Sequence, residues 1–343
     1  ICPRSRLKHV LGIADEMGFC PRLAFEYEFF IFNETAHSAR EKNYLNLIPL
    51  SPGNFGYSVL RTMTMSDLFN EFMDYCSAHN FSLEGLHCET GPGVWEAAIT
   101  VDDALAAADK AILFKTFAKA FFQKRGMIAT FMAKWSMNFP GQSGHVHQSL
   151  LSKKDGSNVF FDKQKADSIS DTMRHYIGGL RNNMKSFLAM TSPTINSYTR
   201  LVKGAWAPTA ATWGVENRTT ALRVIGGSES AQRVEFRVGS ADGNPYLVSA
   251  ANLVSGLTGI FEGQDPGMPV SGNAYELESE LPEEFQLCGN LRDANREFQR
   301  SEVAARMLGN VFVEHYAASR DWEVREYERA VNDWQLHRYF EII

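Results

Sequence analysis

The run LAFEYEFFIF, residues 23–32, constrains the fold of this chain more than any other stretch. Its aromatic content and its alternation predict a β-strand. Side chains at i and i+2 share a strand face, so Glu26 and Glu28 look one way while Phe25, Tyr27 and Phe29 look the other. Two carboxylates on one face repel each other and are costly to desolvate unless a cation lies between them. The plainer reading is a solvated or salt-bridged polar face on an antiparallel sheet. The apolar bulk around Glu26 argues against it.

The same spacing recurs. His145 and His147 share a face, and so do Glu235 and Arg237 within VEFRV. Glu89 and Glu96 flank the turn Thr90-Gly91-Pro92-Gly93, which would bring both carboxylates to one end of a hairpin. Strands are expected at 23–32, 83–89, 95–100, 128–132, 145–150, 208–213, 220–224 and 234–238. Helical spacing marks 4–16, 65–77, 102–125, 166–191, 245–261 and most of 278–333. The expected class is α+β, an antiparallel sheet backed by helices.

If Glu26, Glu28, Glu89, Glu96, Glu235 and His145 converge, they offer five carboxylates and one imidazole. Such an oxygen-rich set suits Mg²⁺ or Mn²⁺, and so many charges suit two ions rather than one. A lone His147 is more often a satisfied structural histidine than a ligand. Arg200, Arg218, Arg223, Arg233 and Arg237 form a cationic cluster whose guanidinium forks fit phosphate and carboxylate. Their local alternative is pairing with Glu216, Glu229 and Glu235. No glycine-rich phosphate loop is present, so a nucleotide would be held by metals and side chains.

Composition narrows the class further. Thirty-four Lys and Arg against forty Asp and Glu leave a net charge of −6, which argues against a nucleic-acid backbone or an anionic membrane as partner. Five scattered cysteines with no C-x-x-C favour a reducing, cytoplasmic setting and give no thiolate metal site. No apolar run approaches the roughly 20 residues of a membrane helix.

Six blocks, AFEYEFFIF, HCETGPGVWEAAI, GHVHQSL, NSYTRLVKG, NRTTALRV and RVEFRVGSADGNPYL, stand in the order and approximate spacing of the glutamine synthetase family catalytic domain. The chain resembles that domain over residues 1–343. The resemblance implies a half-barrel-like sheet whose face carries the active site. It implies that ATP phosphorylates the γ-carboxyl of glutamate and an amine then displaces phosphate, in homo-oligomers of stacked rings (dodecamers or decamers). Matched by motif, Glu28, Glu89 and Glu96 would hold one metal, and Glu26, His145 and Glu235 the other. Arg200 and Arg237, with Gly141 and Gly144, would grip glutamate. Arg218, Arg223 and Arg233 would contact phosphate, with His147 near the transferred group and Ser149 at the nucleotide.

Three departures from the family matter. Trp206 stands where ammonia-using members carry a flap glutamate. An indole is no base but can cover an alkyl chain or an amine cation. This points to an organic amine, as in the γ-glutamyl-polyamine and alkylamide ligases of the family. Next, Gln142-Ser143-Gly144 runs straight into His145, where the family has Gly-Ser-Gly-x-His. Finally, the family's N-terminal β-grasp domain is expected to be absent from this chain. A glutamine synthetase using ammonia and a non-catalytic structural oligomer remain as alternatives.

Overall fold

The computed structural model describes residues 1–343. Its sheet contains β1 (Phe19–Phe32), β2 (Leu83–Cys88), β3 (Val94–Ile99), β4 (Asp102–Asp103), β5 (Ile128–Thr130), β6 (Gly144–Ser152), β7 (Trp213–Val215), β8 (Leu222–Ile225) and β9 (Arg233–Phe236). The strand order is β2-β3-β1-β6-β9-β8-β7, with β4 and β5 also pairing with β1. The sheet stays open.

All pairings are antiparallel except β7 with β8, so the sheet is mixed rather than antiparallel throughout. The cause lies in the connection. After β7 the chain turns at Glu216, a left-handed residue (φ 49°), and Asn217 caps the loop by accepting the Thr219 N–H. The loop then re-enters alongside β7 in the same direction. Strand β7 also begins later than the pattern at 208–213 predicts. Residues 209–211 pair elsewhere: Thr209 N–H donates to Glu278 Oε1 and Ala211 N–H to the Phe285 carbonyl.

Helices Pro3–Glu16, Ala104–Gln123, Asp171–Thr191, Pro245–Glu262 and Asn310–Arg329 fall where the apolar spacing predicts them. The helix Pro245–Glu262 shows why. Proline occupies its first turn, the Asn244 side chain accepts from Tyr246 and Leu247 N–H, and left-handed Gly263 ends it. Against it packs Asp171–Thr191, with glycines at the contact. A Cβ on Gly179 would lie 2.1 Å from the Ser255 carbonyl oxygen. No helix is long and apolar enough to cross a membrane.

One face of β1 is the centre of the core. Phe25, Tyr27 and Phe29 are at most 2% exposed. Phe29 meets Phe114 of the helix Ala104–Gln123 edge-on at 5.9 Å and Phe131 at 5.4 Å. Burying such a ring contributes about 1.5–3 kcal/mol. A one-residue slip of β1 would bury both glutamates instead, so these aromatics fix which face the carboxylates occupy. That face carries the site.

Candidate active site

Register places the acidic and basic side chains next to one another. Glu28 lies opposite Glu96 across β1–β3, and Glu26 opposite His145 across β1–β6. His147 lies opposite Glu235 across β6–β9, and Glu235 opposite Arg223 across β8–β9. On β2, His87 faces Glu96. A turn with left-handed Gly93 returns β2 to β3, and here a Cβ would meet Ile31 O at 2.7 Å, so only glycine fits.

These pairs converge on two adjoining cavities. The larger, about 440 Å³, is lined by Glu26, Glu28, Glu89, Glu96, His145 and Glu235, by Arg200, Arg218, Arg223 and Arg237, and by Gly141 and Trp206. The smaller, about 220 Å³, is lined by His147, Ser149 and Arg233, and Glu26 borders both. Gly144 is the exception among the expected site residues. It is buried behind the wall, where a Cβ would meet Ser240 O at 2.9 Å and Tyr27 Cε1 at 3.1 Å. Gly141 must be bare for a different reason, since Arg200 Cγ lies 2.6 Å from where its Cβ would be.

Around Glu235 and Glu26 the charges of the larger cavity are tightly paired. Glu235, 1% exposed, receives Arg223 Nη1 at 3.2 Å and Arg237 Nη1, with His145 Nδ1 at 3.3 Å. Burial alone would raise its pKa, but His145, Arg237 and His147 hold it below the ordinary carboxylate value. Glu26 behaves likewise: burial opposes ionisation, and His145 and His147 overcome it. Glu28 Oε2 accepts the Ser143 N–H at 2.6 Å. Of the arginines, Arg223 does engage a local acid, giving Nη2 to Glu216. Glu229 turns away to Asn158 N–H, and Arg233 Nε donates to His147 Nδ1 at 3.1 Å.

Two groups were not singled out by sequence reasoning. His87 Nε2 lies 3.1 Å from Glu96 and 3.5 Å from Glu89, which raise its pKa to about 10. Its signal was present, because His87 and Glu89 sit at i and i+2. Tyr57 stacks on His87 at 5.1 Å, and its left-handed backbone (φ 56°) lies in an irregular segment that carries no periodicity.

Divalent cations fit this donor set. Ligand atoms of Glu26, His145 and Glu235 lie within 4.8 Å of one another, and so do those of His87, Glu89 and Glu96. The protein's own cations do not neutralise the second group. Burial, with Glu28 and Glu26 nearby, pushes Glu96 up to about 7 despite His87. His87 Nε2 and His147 Nε2 are buried without a well-aligned hydrogen bond. Carboxylate oxygens with one imidazole per cluster match Mg²⁺ or Mn²⁺ chemistry.

A family model described as the glutamine synthetase catalytic domain matches residues 1–339. Type-1 glutamine synthetase 2 of Dictyostelium discoideum is 43% identical over all of this chain, which spans 66% of that relative's length, just under two thirds. Glutamate–isopropylamine ligase of a Pseudomonas species is 38% identical, over 100% of this chain and 74% of its own. Gamma-glutamylethanolamide synthetase GlnA4 of Streptomyces coelicolor is 35% identical, over 99% and 71%. A solved GmaS/ADP complex superposes with a TM-score of 0.87 at 29% identity, covering 99% of this chain and 77% of that one.

Proposed function

The chain belongs to the glutamine synthetase family, and from that premise we propose that it is an ATP-dependent carbon–nitrogen ligase joining the γ-carboxyl of glutamate to an organic amine. The observation that carries the choice of amine is Trp206, 68% exposed on the rim of the larger cavity. Its left-handed backbone (φ 57°) is rare for an aromatic and turns the residue within a tight flap closed by Ala205 N–H to the Val202 carbonyl. An indole there stabilises an alkylammonium by about 0.5–2 kcal/mol and offers no base for ammonium.

In this reading Glu26, His145 and Glu235 hold one cation, and Glu89, Glu96 and Glu28, with His87 alongside, hold a second. The cations, when bound, neutralise the phosphates and the charge that develops during phosphoryl transfer. The chain's own groups do the rest. Arg200 and Arg237 grip the carboxylates of glutamate in the larger cavity. Arg233 and Ser149 take the nucleotide in the smaller one, with His147 at the boundary. Arg218 and Arg223 face the phosphoryl group as it moves towards the γ-carboxyl oxygen. Tyr57 and Trp206, on the lining of the larger cavity, flank the path by which the amine nitrogen reaches the γ-glutamyl phosphate and displaces phosphate. Assembly of subunits into stacked rings and a cytoplasmic location complete the proposal.

Phosphate release measured with glutamate, ATP and a panel of amines tests it. Organic amines are expected to outpace ammonium, and the reverse order would overturn the amine assignment. A second reading, glutamine formation from ammonia, is favoured by the name and 43% identity of the Dictyostelium relative. Trp206→Glu separates the two. Under the organic-amine reading it raises ammonium turnover and depresses that of alkylamines by about tenfold.

A further inference from the structure

Arg200 is carried by a very short helix, Ser197–Arg200, which cannot hold itself in place. Arg200 is 4% exposed, and its guanidinium donates Nη1 to the Val238 carbonyl at 2.9 Å and Nη2 to the Arg237 carbonyl at 3.4 Å. Those bonds orient the fork. They do not fix the helix from which it extends.

One carboxylate does. Asp242 Oδ2 accepts from Thr194 Oγ1 at 2.6 Å and from Ser197 Oγ at 2.8 Å, which ties down the entry and first residue of that helix. Its Oδ1 accepts from Ser240 Oγ. Ser240 bridges to Ser143, and the Ala241 N–H donates to the Gln142 carbonyl. The Ser143 N–H in turn holds Glu28. From behind the sheet, Lys115 Nζ anchors the next residue through the Gly243 carbonyl at 2.9 Å. Asp242 therefore joins two segments that each bear a group of the larger cavity.

We propose that Asp242 is a positioning residue that sets Arg200 against the Ser143–Glu28 edge of the cavity and so fixes the grip on the amino-acid substrate. The proposal rests on the ligase reading for what Arg200 grips. It does not rest on that reading for the tether itself. Bonds from hydroxyls to an ionised carboxylate are stronger than neutral ones, so three on one side chain make a stiff joint.

The test compares wild type with Asp242→Asn, which keeps the volume and removes the charge, and with Ser197→Ala, which removes the hydroxyl arm from the Arg200 helix to Asp242 together with the acceptor of the Thr194 N–H. The KM for glutamate is expected to rise about tenfold in the first and about threefold in the second, with kcat and the KM for ATP within about twofold. Hydrogen exchange should quicken at residues 197–202 and stay unchanged in β1. An unchanged glutamate KM in both variants, or glutamate and ATP constants rising together, would overturn the proposal. If Asp242→Asn does not fold, Ser197→Ala decides alone. If wild type turns over no glutamate with any amine, the ligase reading fails, and exchange at 197–202 alone judges the tether.

Discussion

Glu235 shows how a single side chain can carry several demands. It is nearly sealed from solvent, shared by Arg223, Arg237 and His145, and one of the three groups suited to the first cation. A buried carboxylate persists in that state only when paired. Glu235→Gln keeps the shape, removes the charge and leaves two guanidinium groups facing a neutral amide. Calorimetric titration with Mn²⁺ is expected to show affinity reduced by at least about tenfold, with turnover falling at least as far. Binding equal to wild type would remove Glu235 from the ligand set. Trp206 makes the opposite case. It is exposed and packs little, so Trp206→Ala should leave the unfolding free energy from urea titration within about 0.5 kcal/mol of wild type while altering amine selectivity.

Among the elements, the crossing of Asp171–Thr191 with Pro245–Glu262 is the least tolerant of change. Gly179→Ala would press a methyl group into the Ser255 carbonyl and the backbone of Gly259, neither of which can rotate away. The cost should reach or exceed about 3 kcal/mol in urea unfolding, the upper end for overpacking. These long helices and β1 were readable from the chain because their periodicity is strong and their ends carry the right caps, as at Asn244 and Gly263. The alternation in β1, β6 and β9 also told which residues share a face. It did not tell which strands are neighbours, so the contact of Glu28 with Glu96 and of His147 with Glu235 emerges only from the register. The parallel β7–β8 pair was missed because six residues are too few for an ordinary crossover, and the loop manages it only through a left-handed Glu216. Tyr57 escaped notice for a similar reason. It sits in a stretch where Asn43, Tyr44 and Asn46 also have positive φ, and no period survives there.

For the whole molecule, Lys115 links stability to pH. Burial, against a smaller opposing pull from Asp242, lowers its pKa to about 8, and its ammonium lies over Tyr27 at 5.3 Å. The unfolded chain holds that proton up to the ordinary lysine range near 10.5, so between these values it binds more protons than the native state. The resulting penalty is fully present below about pH 8 and is relieved as pH rises through that window. Denaturation of wild type and Lys115→Met from pH 7 to 10.5 should show wild type gaining on the variant by on the order of 3 kcal/mol. A constant difference would mean that Lys115 keeps an unperturbed proton. The comparison with the variant cancels the opposing effect of buried Cys76, whose raised pKa works the other way above pH 9.

Glu26 forms part of both chamber walls, and so makes the two compartments one thermodynamic system. Whatever fills one side and pulls on that carboxylate alters the energy of occupying the other, and reciprocity requires the influence to be equal in both directions. A substitution at Glu26 therefore alters both chambers at once, and neither can be reshaped through that side chain alone.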